Sequence, residues 1–351
     1  MNTPKIIKLT PPLLTDNHIG KKISCIRPHR ERIFNVSSEQ IDNTFIFHNY
    51  GHGGAGWTFL FGCVNESIRQ FEAAILQNPH LKQQPITIIG AGCYGLLTAI
   101  LLAQRGFKVQ IIAKETEDIP SYKAAGFFFP RWRKSSSDQE KEIFLARGME
   151  SYESYLRISN GTHEFIKTGA RIVPAYFGLD IDPGFAPYIE RKLIAPSQQV
   201  VVNFSNGKQY PMNQYQIIFM DSFSLMQELH KNVTELQIPI IKKEITSWTD
   251  IPEAIIFNCS GWGAKQLTQD PRLVPVQGHL ISLQNQPELN YMINVKVVMQ
   301  TPRGPRDELI YFAPKDEGIL GITFLRNQSN TDANTHEFDR LLQRCQDFFG
   351  I

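Results

Sequence analysis

The sequence has no surplus of either charge. Its 36 Lys and Arg against 34 Asp and Glu leave +2 over 351 residues, so neither nucleic acid nor an acidic membrane surface is an expected partner. Cysteine is scarce and unpaired in pattern. Cys25, Cys63, Cys93, Cys259 and Cys345 are odd in number with no Cys-x-x-Cys spacing, which reads as reduced thiols in a cytosolic, cytoplasmic protein. The opening MNTPKIIKLTPPLL has no long apolar core of the signal-peptide kind, so the sequons at Asn65, Asn160 and Asn232 carry no weight. No internal repeat or low-complexity tract is present. His48 and His52 are four apart, but glycines interrupt any helix between them and no acidic ligand is adjacent, so no metal site is expected. With 42% hydrophobic and 20% charged residues, the chain is long enough for one large domain or two interleaved ones.

Its densest information is ITIIGAGCYGLLTAILLAQRGFKVQIIAKE, residues 86–115. A buried apolar strand runs into Gly90-Ala91-Gly92-Cys93-Tyr94-Gly95, a helix follows to Gln104, Gly106 stops it, and a second strand spans 109–112. This is the β-α-β dinucleotide fingerprint in its required context. Gly90 permits the tight turn, Gly92 lets a pyrophosphate approach the backbone, and Gly95 lets helix and strand pack. The helix start then offers free N–H groups to phosphate. Nineteen residues, 86–104, carry no charge and could span a bilayer. The glycines and the alternating segment beyond them favour a water-exposed fold instead. No Gly-Lys-Ser/Thr follows, so this is not a P-loop.

A second strand–glycine turn–helix lies upstream. In NTFIFHNYGHGGAGWT, residues 43–58, an apolar strand enters Gly51, Gly53, Gly54 and Gly56, which demand positive φ or close backbone approach. A helix is expected over 59–76, with Ile68, Phe71 and Ile75 on one face. Residues 77–85, QNPHLKQQP, read as a polar, Pro-bounded linker. Beyond the fingerprint, Ala124-Ala125-Gly126 is small enough for ligand contact, and Phe127-Phe128-Phe129 is core by default. Ser137 to Glu140 forms a capping box. Strand patterns begin at Gly169, with an Asn-Gly hairpin signal at Asn206-Gly207, and a further buried strand ends in Cys259-Ser260-Gly261. Residues 288–306 read as a long mobile loop, and a terminal amphipathic helix carries Phe338, Leu341, Leu342 and Cys345.

Together, HNYGHGGAGWT, CIRPHR, AAGFFFP and FNCSGWGA resemble the FAD-dependent D-amino-acid oxidase family, over nearly the whole chain but in rearranged order. Residues 1–76 resemble that family's last segment and 86–351 the rest, so the chain looks like a circular permutant with 77–85 joining the former ends. The resemblance implies an α/β fold, with a Rossmann-like FAD domain (36–165 and 238–285) interleaved with a mostly antiparallel substrate domain (1–35, 166–237 and 286–351).

It also implies site roles. Gly90, Ala91, Gly92 and Gly95 serve the FAD pyrophosphate. Lys114 and Glu115 follow Ala113, which stands where the family usually has an acidic ribose ligand. Ser121, Ala124, Ala125, Gly126, Ser260 and Gly261 line the flavin, and Ile245 meets the adenine. Gly53, Gly56, Trp57 and Thr58 lie against the isoalloxazine, with a helix start behind it to stabilise developing negative charge. Arg27 grips the substrate carboxylate with a two-nitrogen fork, Tyr311 donates to it, and the Gly54 carbonyl accepts from the amine. Phe129 replaces a glutamine common in the family, giving a drier pocket.

The implied reaction passes the α-hydride of a small amino acid or amine to flavin N5. Imino acid, then 2-oxo acid and ammonia follow, with O2 as electron acceptor yielding hydrogen peroxide. Arg303, Arg306 and Lys296, in the expected loop, read first as solvated charges, and as the sharper alternative they point to substrates with a second carboxylate. The alternatives are a related flavoenzyme on glycine, a secondary amine or a specialised biosynthetic amine, or a non-catalytic FAD-containing interaction module. Arg27 and Tyr311 count against the last. Oligomeric state and substrate side chain are left open.

Overall fold

Two sheets carry the fold in the computed structural model, which describes residues 4–301 and 304–350. The smaller has six strands in the order Ile240–Lys242, Val109–Ala113, Ile86–Ile89, Ile255–Asn258, Thr44–Tyr50 and Asn35–Ile41. Neighbours are parallel except the last pair. Ile86–Ile89 and Ile255–Asn258 are buried along their whole length, as parallel strands covered on both faces must be. The crossover helix Cys93–Gln104 packs against helices Leu60–Gln77 and Ser222–Glu235. Nine of its twelve residues are buried, which explains the charge-free run: this helix has almost no solvent face. Among the described residues no helix is long and apolar enough to cross a membrane.

The larger sheet has ten strands and is mostly antiparallel. Its order is Lys5–Lys8, Gln198–Asn203, Gln209–Met220, Ala170–Gly178, Met292–Thr301, Gly304–Ala313, Ile319–Gly321, Leu273–Leu283 and Leu325–Arg326, with Ile19–Arg30 also paired to Leu273–Leu283. Only the pairs Lys5–Lys8 with Gln198–Asn203 and Ala170–Gly178 with Met292–Thr301 are parallel. The terminal helix His336–Phe349 buries Phe338, Leu341, Cys345, Phe348 and Phe349 in a second core beneath this sheet. The Ser137 capping box opens helix Asp138–Ser159, Ser137 Oγ accepting from the Glu140 N–H and the Glu140 carboxylate from the Ser137 N–H at 2.7 Å.

Three expectations need correction. Residues 288–306 are not a long loop. Met292–Thr301 and Gly304–Ala313 form a hairpin in continuous register, because Ile293, Val295, Ile310 and Phe312 supply an inward face to the second core; Arg303 lies outside the described residues. The 77–85 linker is not featureless either. A 3-10 helix, Pro79–Gln83, buries Leu81 to 1% exposure against the main core. Finally, Leu273–Leu283, grouped above with the cofactor half, pairs with Ile19–Arg30 and Ile319–Gly321. Its backbone ladder belongs to the larger sheet, so the boundary at 285 falls too late.

Candidate active site

Both glycine turns open onto one cavity. At the first, Gly90 has φ +103° and a Cβ there would sit 2.5 Å from the Cys259 carbonyl oxygen. A Cβ on Gly95 would lie 1.9 Å from the Gly90 oxygen, so Gly95 seats the helix on the turn and does not itself line the cavity. At Gly92 a Cβ would meet only Ser121 Oγ, at 3.1 Å. Gly92 also caps helix Cys93–Gln104 without a side chain, leaving first-turn N–H groups for an anion. The second turn, 51–56, leads through Trp57–Phe59 into helix Leu60–Gln77, whose N-cap residue gives no side-chain cap but whose Gly62 N–H donates to Ser151 Oγ at 3.0 Å.

Aromatic side chains tie these turns together. Tyr94 stacks on His52 at 3.9 Å and donates its hydroxyl to the Gly56 carbonyl at 2.7 Å. Trp57 Nε1 donates to the Ser121 carbonyl at 2.9 Å, and Ser121 Oγ accepts from the Cys93 N–H at 3.1 Å. His48 is committed elsewhere, to Glu39 at 2.9 Å and Asn258 at 3.1 Å. Among the described residues there is no cluster of three metal-ligating side chains.

The cavity measures about 1150 Å³, above the roughly 300–1,000 Å³ of an ordinary small-molecule site. Of the residues singled out in the sequence, Arg27, Gly53, Gly54, Gly56, Trp57, Thr58, Gly90, Ala91, Gly92, Lys114, Glu115, Ser121, Ala124, Ala125, Gly126, Ile245, Ser260, Gly261 and Tyr311 all line it. Lys114 is held by Glu244 at 2.9 Å. Gly126 has φ +85°, and a Cβ there would strike the Met220 oxygen at 2.1 Å. Phe127 and Phe129 face the cavity. Phe128, on the opposite side of the extended backbone, packs on Tyr152 and Tyr188 in the core, so of the three rings read as core only Phe128 leaves the cavity wall.

Arg27 is 7% exposed. Its Nη2 donates to the Thr323 carbonyl and, at 3.3 Å, to the Gln277 carbonyl, while Nε and Nη1 are buried and unpartnered among the described residues. Its electrostatic neighbours are Cys25 and Tyr311, with no carboxylate among them. Burial pushes its pKa down, but a guanidinium stays charged. A buried cation with unused donors is costly unless an anion completes it. The expected fork needs adjustment: the two free nitrogens do not share an edge of the guanidinium, so a two-oxygen grip requires Nη2 to release a carbonyl. Burial raises the Tyr311 hydroxyl pKa, opposed by the Arg27 charge. Of the cations expected to favour a second carboxylate, Lys296 is paired with Asp180 at 3.0 Å and Arg306 with Glu308 at 3.4 Å; neither is a free anion ligand.

The sequence reading missed several neighbours. A Cβ on Gly278 would lie 2.1 Å from Arg27 Nη2, so that glycine makes room for the arginine. Arg131, Arg133, Asn294 and Phe324 also line the cavity. The Gly-His signal at 278–279 hints at a close approach, but nothing local says to what.

Residues 83–128 match the family model for an FAD binding domain. D-amino-acid oxidase of Streptomyces coelicolor is 23% identical over 265 residues, 74% of this chain and 76% of that one. D-aspartate oxidase of Homo sapiens is 26% identical over 288 residues, 74% of each. The chain is therefore similar in sequence to D-amino-acid and D-aspartate oxidases. Among solved structures, glycine oxidase from Bacillus cereus superposes with a TM-score of 0.51 at 16% identity, over 75% of this chain and 77% of that one. Iminodiacetate oxidase from Chelativorans sp. BNC1 gives 0.51 at 16%, over 75% and 78%. The chain thus shares its mixed α/β fold with these two oxidases.

Proposed function

We propose that the chain is an FAD-dependent oxidase of amino acids, with D-amino acids as the first substrates to test. The observation that carries this reading is Arg27: a buried guanidinium without a carboxylate partner, beside Tyr311, in a cavity onto which both glycine turns open. Bound FAD would supply a two-electron acceptor for the substrate's α-hydride, with O2 as the final acceptor and hydrogen peroxide as the product. The residues fit that cofactor. Gly90, Ala91 and Gly92 with the start of helix Cys93–Gln104 hold the pyrophosphate; Lys114 and Glu115 serve the ribose and Ile245 the adenine. Ala124, Ala125, Gly126, Ser121, Ser260 and Gly261 flank the ring system, and Gly53, Gly56, Trp57 and Thr58 lie along it ahead of helix Leu60–Gln77.

On the substrate, Arg27 and Tyr311 orient the carboxylate and the Gly54 carbonyl accepts from the amine. No side chain need remove a proton if the amine is bound neutral, so catalysis rests on positioning and exclusion of water. The imino acid leaves and hydrolyses to 2-oxo acid and ammonia. The apolar faces of Phe127 and Phe129 favour a second reading on the same site, a secondary or less polar amine. We also infer a permuted chain order and the two-part division stated above, with its late boundary moved ahead of Leu273. The relatives align over about three quarters of either chain, as expected if one segment of each falls out of order.

The test is a peroxide assay of the yellow, purified protein against D- and L-amino acids and small secondary amines. Peroxide with a D-amino acid supports the first reading, and peroxide with amines alone the second. A protein that binds nicotinamide nucleotide and no flavin contradicts both.

A further inference from the structure

Phe324 stands at the cavity wall although its ring is 60% exposed. It covers the Arg27 guanidinium, whose carbon lies 4.4 Å from the ring centroid. Phe324 Cε1 and Arg27 Nη1 lie 3.9 and 3.3 Å from one point, the place a Cβ on Gly54 would take. The carboxylate anchor, the amine acceptor and this ring therefore converge.

The backbone leading to the ring is fastened from behind. Arg344 donates to the Gly321 and Ile322 carbonyls at 3.1 and 3.2 Å, its charge met by Glu308 at 2.8 Å. Thr323 Oγ1 accepts from the His279 backbone N–H at 3.0 Å and lies 2.7 Å from its ring Nδ1. The Thr323 carbonyl accepts from Arg27. Residues 321–323 are thus pinned to the buried side of the sheet, and the ring of Phe324 alone overhangs the site.

We propose that Phe324 is a specificity-determining residue. Resting on the reading of Arg27 as carboxylate anchor, it covers one face of the guanidinium and forms the wall that the α-substituent must pass. A ring stacked on a guanidinium adds attraction and keeps water from that face, which strengthens the charge pairing on the remaining edge. The same ring limits width. A flat or unbranched group lies along it, whereas a branched one meets the ring edge above Gly54.

The experiment uses the full chain loaded with FAD, as wild type and as Phe324→Ala, Phe324→Leu and Phe324→Tyr. Flat benzoate and branched pivalate are titrated by their perturbation of the flavin absorption band, a readout that needs no turnover. In Phe324→Ala the benzoate Kd should rise about 3- to 30-fold, the range of a cation–ring contact from exposed to desolvated. Pivalate should bind as well as before or better, so the preference for the flat acid collapses. Phe324→Leu should fall between, Phe324→Tyr should match wild type, and FAD content should stay constant. An unchanged benzoate-to-pivalate ratio in Phe324→Ala overturns the proposal, as does Phe324→Tyr behaving like Phe324→Ala, or loss of FAD. A wild type that holds FAD yet responds to neither acid overturns the anchor role of Arg27, and the proposal with it. A responsive wild type with an insensitive Phe324→Ala overturns the role of Phe324 alone.

Discussion

The proposed function rests its chemistry chiefly on one side chain, Arg27. Truncating one member of a buried charge pair typically costs about 2–5 kcal/mol, so Arg27→Ala should lower kcat/KM by roughly 30- to 4,000-fold. Arg27→Lys should recover only part, because a point charge does not replace a planar donor set. FAD content should hold in both; loss of FAD in place of substrate affinity would contradict the assignment. Gly92→Val makes the complementary prediction. Only Ser121 Oγ crowds that position, so the chain should fold, yet the added side chain stands where pyrophosphate must approach. The expected outcome is a colourless protein with near-native circular dichroism. At this scale the glycines were legible, because a tight turn or close approach leaves a local mark. Arg27 was not: its composition reads as a surface charge, and only resemblance singled it out. The carbonyls of Gln277 and Thr323 and the space left by Gly278 come from distant parts of the chain, and no local pattern announces them.

Among elements, the polar linker 77–85 contains a packed turn, which splits its tolerance to change. Gly and Ser inserted beside the exposed Gln84 should cost little, about 0.6 kcal/mol per doubling of the loop. Leu81→Ala should cost about 2–5 kcal/mol, seen as a shift in denaturant midpoint, because that side chain fills core space. His163, in the loop after helix Asp138–Ser159, gives a pH prediction. Burial pulls its pKa down from 6.5 to about 4, and its Nδ1 accepts from the Ile166 N–H at 3.2 Å, which requires a neutral ring. His29, at the cavity, is likewise lowered to about 4 by burial and neighbouring arginines. Below pH 6.5 the unfolded chain takes up protons that the folded one refuses, so stability is lost as pH falls from about 6.5 towards 4. Denaturant midpoints at pH 7.5, 5.5 and 4.5 should fall in that order; a flat series would contradict neutral buried rings.

Helices with one polar face, the capping box and the Asn-Gly turn were readable because each is decided within a few residues. The hairpin of Met292–Thr301 and Gly304–Ala313 was not. Its Lys, Arg, Gly and Pro content suggests a loop, and it is the second core beneath it that makes alternate residues count as a strand.

For the whole molecule, the two sheets face one cavity, and a ligand spanning it binds both. FAD at a hundred times its Kd should stabilise the folded chain by about 2.7 kcal/mol. The stripped protein should therefore melt earlier, and both sheets should lose protection from hydrogen exchange. Stabilisation confined to the six-stranded sheet would mean that the cofactor does not bridge them. The fold class was legible from the fingerprint and the second glycine turn. The sheet membership of Leu273–Leu283 was not, since its partner Ile19–Arg30 lies at the other end of the sequence.

That pairing has a consequence for how the protein is made. Arg27 stands opposite Val276, and Phe45 opposite Ile255. The strand that carries Arg27 and the strand that enters the second glycine turn therefore leave the ribosome about two hundred or more residues ahead of their partners. Synthesis at roughly 5–20 residues per second leaves both waiting on the order of ten seconds or longer, with unpaired edges exposed to other nascent chains. In this chain order Arg27 and the second glycine turn are translated well before the strands that complete their pairing. Asn35–Ile41 covers one edge of the Phe45-Ile46-Phe47 segment at once, and the other edge waits for Ile255–Asn258.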